Sequence, residues 1–323
     1  MTSTIVSQQK TPVTIITGFL GSGKTTLLNQ ILTNRQNLKI AVLVNEFGEI
    51  NIDSQLLVSI DQDMMLLSNG CICCTINASL IEAVNKVLVG NNIDYIVIET
   101  TGLAEPVPLM MTFTSSNLRD VTRLDSILTV VDAENFNSNN FDSKIALEQV
   151  IYADIVLLNK IDLVSSAQLE EVEEYINSVK VDAKIIRCKY GKVSLPLILD
   201  VGDSNLKTLS PSSLQYGIES SSTNRLKEDN FMSVSFQSDK PLSVEKFNKF
   251  LDEQLPKTVF RGKGIIWYQG SKLRHIFQLS GKRCNFQRDE WTTTPSNQLV
   301  FIGQNLDAQK MIDRLEECVS FEQ

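Results

Sequence analysis

The chain has 323 residues, 42% of them hydrophobic and 21% charged, and carries a net charge of −8. This is the composition of a soluble globular protein, and the length exceeds what one hydrophobic core usually organises, so two domains are expected. The acidic balance argues against a general nucleic-acid or anionic-membrane binder, and no apolar run reaches the roughly 20 residues that cross a bilayer.

Taken in chain order, the opening "MTSTIVSQQKTPVTIITGF" lacks a basic region followed by an apolar core. No signal peptide is expected, and the expected compartment is the cytoplasm, where thiols stay reduced. Continuous apolar runs then suggest buried parallel strands at 13–17, 39–45, 95–99, 126–132, 154–159 and 183–188. Helical stretches fall between them, among them 24–34, 77–89 and 166–180. In the last, Leu169, Val172, Ile176 and Val179 recur at helical spacing. The pattern predicts a doubly wound α/β domain with a mostly parallel sheet. From about residue 203 to 230 the chain is rich in Ser, Asn and Lys and reads as a linker. β-rich segments follow ("FMSVSFQS", "TVFRGKGIIWYQG", "LRHIFQLSG", "QLVFIG"), flanked by helical stretches near 243–254 and 306–318. The expected division is a nucleotide domain over 1–204, a linker over 205–230 and a smaller α+β domain over 231–323.

"GFLGSGKT" at 18–25 fits G-x-x-x-x-G-K-[ST] and lies between a predicted strand and a predicted helix. Gly18, Gly21 and Gly23 let the backbone turn its amides, with Ser22 among them, toward an anion. The helix start adds partial positive charge. Lys24 would reach the β- and γ-phosphates and the Thr25 hydroxyl would bind magnesium. "IVIETTG" at 96–102 has the form of the second metal-and-phosphate strand, with Glu99 acting on magnesium through a water and the Gly102 amide facing the γ-phosphate. The plainer alternatives are a Gly-rich turn that binds nothing and a strand-end carboxylate that caps a turn. "LLNKIDL" at 157–163 puts Asn159, Lys160 and Asp162 at a strand's C-terminal end. A carboxylate there accepts two hydrogen bonds from the guanine edge, which adenine cannot supply, so GTP is favoured over ATP.

Half of the six cysteines crowd into "GCICC", as Cys71, Cys73 and Cys74. Three thiolates suit zinc or another borderline-soft ion such as cobalt(II). A fourth ligand could be water, Glu46 or a receiving protein, and an open position suits transfer. Buried apolar thiols and a redox pair are the alternatives. The cysteines follow "NEFGEINID", whose Glu46, Glu49 and Asp53 are candidates to order magnesium or the attacking water, against the alternative of a solvated acidic loop.

With these pieces assembled, the chain resembles the CobW-type P-loop GTPases, whose members include zinc-regulated metallochaperones. "TGFLGSGKTTLLN", "NEFGEINID", "GCICC", "ETTGLAEP" and "NKIDL" carry the resemblance in that order, and "KGIIWYQG" and "NQLVFIG" extend it to the C-terminal domain. It implies a slow GTPase with coupled metal and nucleotide states. The implied functional residues are Gly21, Gly23, Lys24, Thr25, Thr26, Glu99, Asn159, Lys160, Asp162, Cys71, Cys73 and Cys74. It also implies a client metalloprotein and allows a homodimer. This chain has one histidine, so the His-rich storage run of many relatives is missing, and its first residues lack the cysteine-containing segment of chaperones that dock on methionine aminopeptidase. Members of the cobalamin pathway share these motifs. Two other functions stay in view: a metal-binding module in which nucleotide is only structural, and a P-loop kinase or ATPase. In the second domain, aromatic and basic residues interleave as in a single-strand nucleic-acid binder, but a packed sheet with a polar outer face is the expectation. His275, Cys188, Cys284 and Cys318 are expected to be structural or surface residues.

Overall fold

The computed structural model describes residues 10–35, 38–44, 65–68, 76–89, 92–136, 143–200 and 231–320. The chain divides into two compact units, one over Gln8–Asp200 and the other from Val201 onward. Both expected domain types are present, a doubly wound parallel α/β unit and a smaller α+β unit.

In the first unit, strands β1 (Thr11–Thr17), β2 (Ile40–Val44), β3 (Met65–Ser68), β4 (Tyr95–Glu99), β5 (Thr122–Asp132), β6 (Ile155–Asn159) and β7 (Ile185–Arg187) form one sheet. Its order is β3-β2-β4-β1-β5-β6-β7 and every pairing is parallel. Every residue of β2, β4, β5 and β6 is buried, as expected of strands covered by helices on both faces. The helices are α1 (Lys24–Thr33), α2 (Ile76–Leu88), α3 (Pro106–Ser115), α4 (Lys144–Tyr152), α5 (Ser166–Val179) and the single turn α6 (Leu195–Ile198). α2 and α3 place Leu80, Val84, Val87, Leu109 and Phe113 on Val13, Ile15, Ala41, Leu43, Ile96 and Ile98. α4 and α5 place Val150, Leu169, Val172 and Ile176 on Val131, Val156 and Leu158. α5 starts where Ser165 and Gln168 form a reciprocal capping box.

A buried polar network ties the starts of two central strands to the end of the unit. The Tyr95 hydroxyl bonds Thr14 Oγ1 at 2.9 Å and donates to Asp125 Oδ2, while Asp125 Oδ1 meets Arg123 Nη1 at 3.3 Å. The other Arg123 nitrogen pairs with Asp200, whose amide donates to Tyr95 Oη at 3.3 Å.

The second unit is an antiparallel sheet of order β11-β10-β9-β12-β8 with helices on one face. Its strands are β8 (Phe231–Ser238), β9 (Val259–Ile266), β10 (Arg274–Ser280), β11 (Arg283–Asp289) and β12 (Asn297–Gln304). β10 and β11 are joined by two residues, the first of them Gly281 at φ 57°, as a tight hairpin requires. α7 (Val244–Lys249) runs into a π turn (Phe250–Gln254), closed where Leu255 N donates to Phe250 O at 2.7 Å. That turn keeps both Phe247 and Phe250 in a core with Tyr268, Phe277 and Phe301. Phe247 meets Phe277 edge-on at 5.6 Å, and α8 (Ala308–Glu317) adds Met311 and Leu315. No helix among the described residues is long and apolar enough to cross a membrane.

The Arg123 network gives a stability prediction. Arg123→Met removes the cation beside the buried Asp125 and should cost about 3 kcal/mol. Arg187→Met breaks only the solvent-side pair with Glu173 (2.6 Å) and should cost at most about 1 kcal/mol. Urea midpoints of the two variants check the ordering, and equal losses would contradict it.

Candidate functional site

The functional residues converge because a parallel sheet collects its strand ends on one edge. β1 delivers the chain into the loop 18–23, whose glycines adopt left-handed conformations: φ 138° at Gly18, 71° at Gly21 and 104° at Gly23. At Gly23 a Cβ would also lie 2.4 Å from Asn159 Nδ2, so both backbone and space demand glycine. Ser22 is buried and Thr26 is exposed at the rim. α1 begins at Lys24, whose Nζ donates to Phe19 O at 3.1 Å across the loop.

The register of the sheet pairs Ile16 of β1 with Glu99 of β4. Glu99 is only 2% exposed, and its Oε1 accepts the Thr25 hydroxyl proton at 2.9 Å. The turn after Glu99 begins with Thr100 N donating to Ile16 O at 3.0 Å. Gly102 then packs on the phosphate loop so closely that a Cβ would lie 2.7 Å from Leu20 N.

The other end of the site is built on β6. Asn159, 2% exposed, donates from Nδ2 to Ser22 O at 2.9 Å. Its Oδ1 accepts from Gly191 N at 3.1 Å and from the Cys188 thiol at 3.6 Å. Lys160 sits at φ 61° and its ammonium pairs with Asp132 Oδ2 at 2.6 Å. Asp162 lies one turn further on, in a short 3-10 segment, exposed to solvent. The structure thus brings together Gly18, Gly21, Ser22, Gly23, Lys24, Thr25, Glu99, Gly102 and Asn159, with Lys160 and Asp162 following directly.

Two residues of this constellation were not singled out from the sequence. Asp132 ends the run "SILTVVD", and a carboxylate closing a buried strand beside the base loop was the available signal. Gln149, on α4, bonds the Gly102 and Ala104 carbonyls, and no local motif marks it.

Cys71, Cys73, Cys74, Glu46, Glu49 and Asp53 lie outside the described residues. Among the described residues, no group of three or more His, Cys, Asp or Glu side chains is placed to hold a metal ion. The described cysteines are free thiols with poor thiolate character. Burial pushes Cys188 up to about 12, and burial together with nearby acidic charge pushes Cys284 and Cys318 up to about 11. His275 bonds Ser271 Oγ through Nε2 at 2.9 Å and stands edge-on to Tyr268 at 4.9 Å.

Residues 12–187 match the CobW/HypB/UreG nucleotide-binding domain, and residues 231–319 match the C-terminal domain of the cobalamin synthesis protein cobW. The chain belongs to the CobW/HypB/UreG family. It is 31% identical to the zinc-regulated GTPase metalloprotein activator 1 of Dictyostelium discoideum, over 84% of this chain and 66% of that protein. It is also 31% identical to the zinc chaperone YjiA of Escherichia coli, over 93% of this chain and 96% of that one. The crystal structure of zinc-bound YjiA GTPase from E. coli aligns over 97% of this chain and all of that one, with 27% identity and a TM-score of 0.47.

Gly23→Ala forces Asn159 aside and should weaken nucleotide binding at least about tenfold, read by titration of a fluorescent nucleotide. His275, the only histidine, is held below its ordinary 6.5 by burial and then by Arg288. The unfolded chain therefore binds the extra proton first, so this group's contribution is intact above pH 6.5 and lost as pH falls from there through the folded value. An NMR titration of its ring protons should give a midpoint below 6.5, and one above that value would contradict the assignment.

Proposed function

We propose that this chain is a cytoplasmic GTPase that carries zinc to a client metalloprotein, with its metal load coupled to its nucleotide state. The observation that carries the reading is the pair of hydrogen bonds by which Asn159 joins Ser22 to Gly191. One side-chain amide links the phosphate loop at Ser22 to the base-side loop at Gly191, so the two ends of a nucleotide would be held by one rigid frame. Membership of a nucleotide-binding family supports it, as do relatives named as zinc-regulated GTPase activator and zinc chaperone.

The residues divide the work by chemistry. The loop amides and the Lys24 ammonium face the phosphates and neutralise their charge. Asp162 accepts from the guanine edge, while Lys160, steadied by Asp132, lies along the base. The Gly102 amide faces the terminal phosphate, and its turn is the part that responds when that phosphate leaves. Thr25, partly exposed, and the buried Glu99 form a pair of oxygen ligands, a set that fits magnesium, which takes oxygen ligands. When bound, magnesium would neutralise charge on the phosphates.

Zinc is the cargo. Cys71, Cys73 and Cys74 are the residues proposed to hold it, since soft thiolates suit zinc. Leu20 and Leu103 stand 59% and 46% exposed on either side of the Gly102 contact, an apolar foothold for a client or a second copy.

The test is GTP affinity measured with and without zinc, then in the Cys73→Ala/Cys74→Ala variant, and repeated with cobalt(II). Linkage requires zinc and GTP to change each other's affinity by one factor, about tenfold for a coupling of typical size. Equal GTP affinities in wild type and variant, with and without metal, would dismiss the coupling. A stronger cobalt effect would reassign the cargo.

A further inference from the structure

We propose that Gln149 is a positioning residue that sets the response of this site to the terminal phosphate. The inference rests on the GTP reading above and adds a residue that no nucleotide motif contains.

Gln149 is 0% exposed on α4, facing the turn that follows Glu99. Its Nε2 donates to Gly102 O at 3.2 Å and to Ala104 O at 3.1 Å. Two carbonyl acceptors need the two protons of one amide nitrogen, so the orientation of the side chain is fixed by its partners. Its own backbone carbonyl accepts from Thr129 Oγ1 at 2.7 Å, which anchors this part of α4 to β5. The clamp is therefore mounted on the rigid sheet rather than on another loop.

Two further features argue that the clamp is more than packing. Gln149 Oε1 is buried and has no hydrogen-bond partner among the described residues. Burying an amide oxygen in this way is unfavourable, and such an atom calls for a reason beyond packing. On its far side, the turn has no slack, because Gly102 lies against the backbone of Leu20. The segment is gripped between Gln149 and the phosphate loop, which fixes the peptide carrying the Gly102 carbonyl and, through the shared Gly102 Cα, restricts the preceding peptide that carries the Gly102 N–H. A donor aimed at a developing or terminal charge acts through such fixed orientation. GDP lacks the terminal phosphate that the Gly102 amide is proposed to face, so releasing the clamp should affect GTP alone.

The experiment uses the full chain with magnesium present and the variants Gln149→Met and Gln149→Leu. The affinities for GDP and for a β,γ-imido analogue of GTP are measured alongside unfolding midpoints. The expected result is analogue affinity lowered about tenfold, the size of one well-aligned hydrogen bond. GDP affinity should stay within about twofold, while the unfolding midpoint reports separately the cost of leaving the two carbonyls without their donor. Analogue and GDP affinities that fall together, or neither moving, would overturn the assignment. So would failure of both variants to fold, which would make Gln149 a structural residue. If the wild-type chain binds neither guanine nucleotide, the GTP reading itself fails. If the wild type binds both and the variants show no split, only the role of Gln149 fails.

Discussion

The arrangement depends on one buried side-chain amide. Asn159 closes three segments that are far apart in sequence: the phosphate loop, the end of β6 and the loop after β7. Its donor and its acceptor are both used, so the desolvation of a polar group in the core is offset on each side. The same amide occupies the volume beside Gly23, which ties a backbone requirement in one loop to a side-chain requirement 136 positions later. Removing either partner leaves the other without its reason.

The central strands carry two kinds of polar group at their two ends. β4 begins with Tyr95 and ends with Glu99; β5 has Asp125 near its start and ends with Asp132. The starting groups bond one another and Arg123 in a closed network that fixes the strands and the exit of the unit at Asp200. The terminal groups instead face the Thr25 hydroxyl and the Lys160 ammonium. Parallel order makes this division automatic, since every strand presents its last residue to the same edge.

Much of this could be read along the chain because it is local. Buried parallel strands need unbroken apolar runs, and β1, β2, β4, β5 and β6 have them. Lys24, Thr25, Glu99 and Asn159 each belong to a short motif with fixed spacing. What stayed hidden was non-local or too short. β3 spans four residues, and β11 alternates polar positions at a sheet edge without an apolar run of its own. Gln149 acts on carbonyls 45 and 47 positions away, and nothing in its own helix shows that. The stretch 243–254 reads as a helix, but only the closing bond from Leu255 to Phe250 shows that its last turn is π and keeps Phe250 on the aromatic core. The order β11-β10-β9-β12-β8 likewise follows from pairings that no local pattern encodes. The cysteine trio, conspicuous in the sequence, falls outside the described residues.

The contact between Thr25 and Glu99 has a further consequence. The hydroxyl gives its only hydrogen to the carboxylate, so its rotor is locked and its lone pairs are left uncommitted. A hard cation approaching that oxygen meets an acceptor already turned the right way. The loss of rotational freedom was incurred when the chain folded, not when the ion arrives. Serine at this position would keep that readiness, whereas valine, of nearly the same shape, would abolish it.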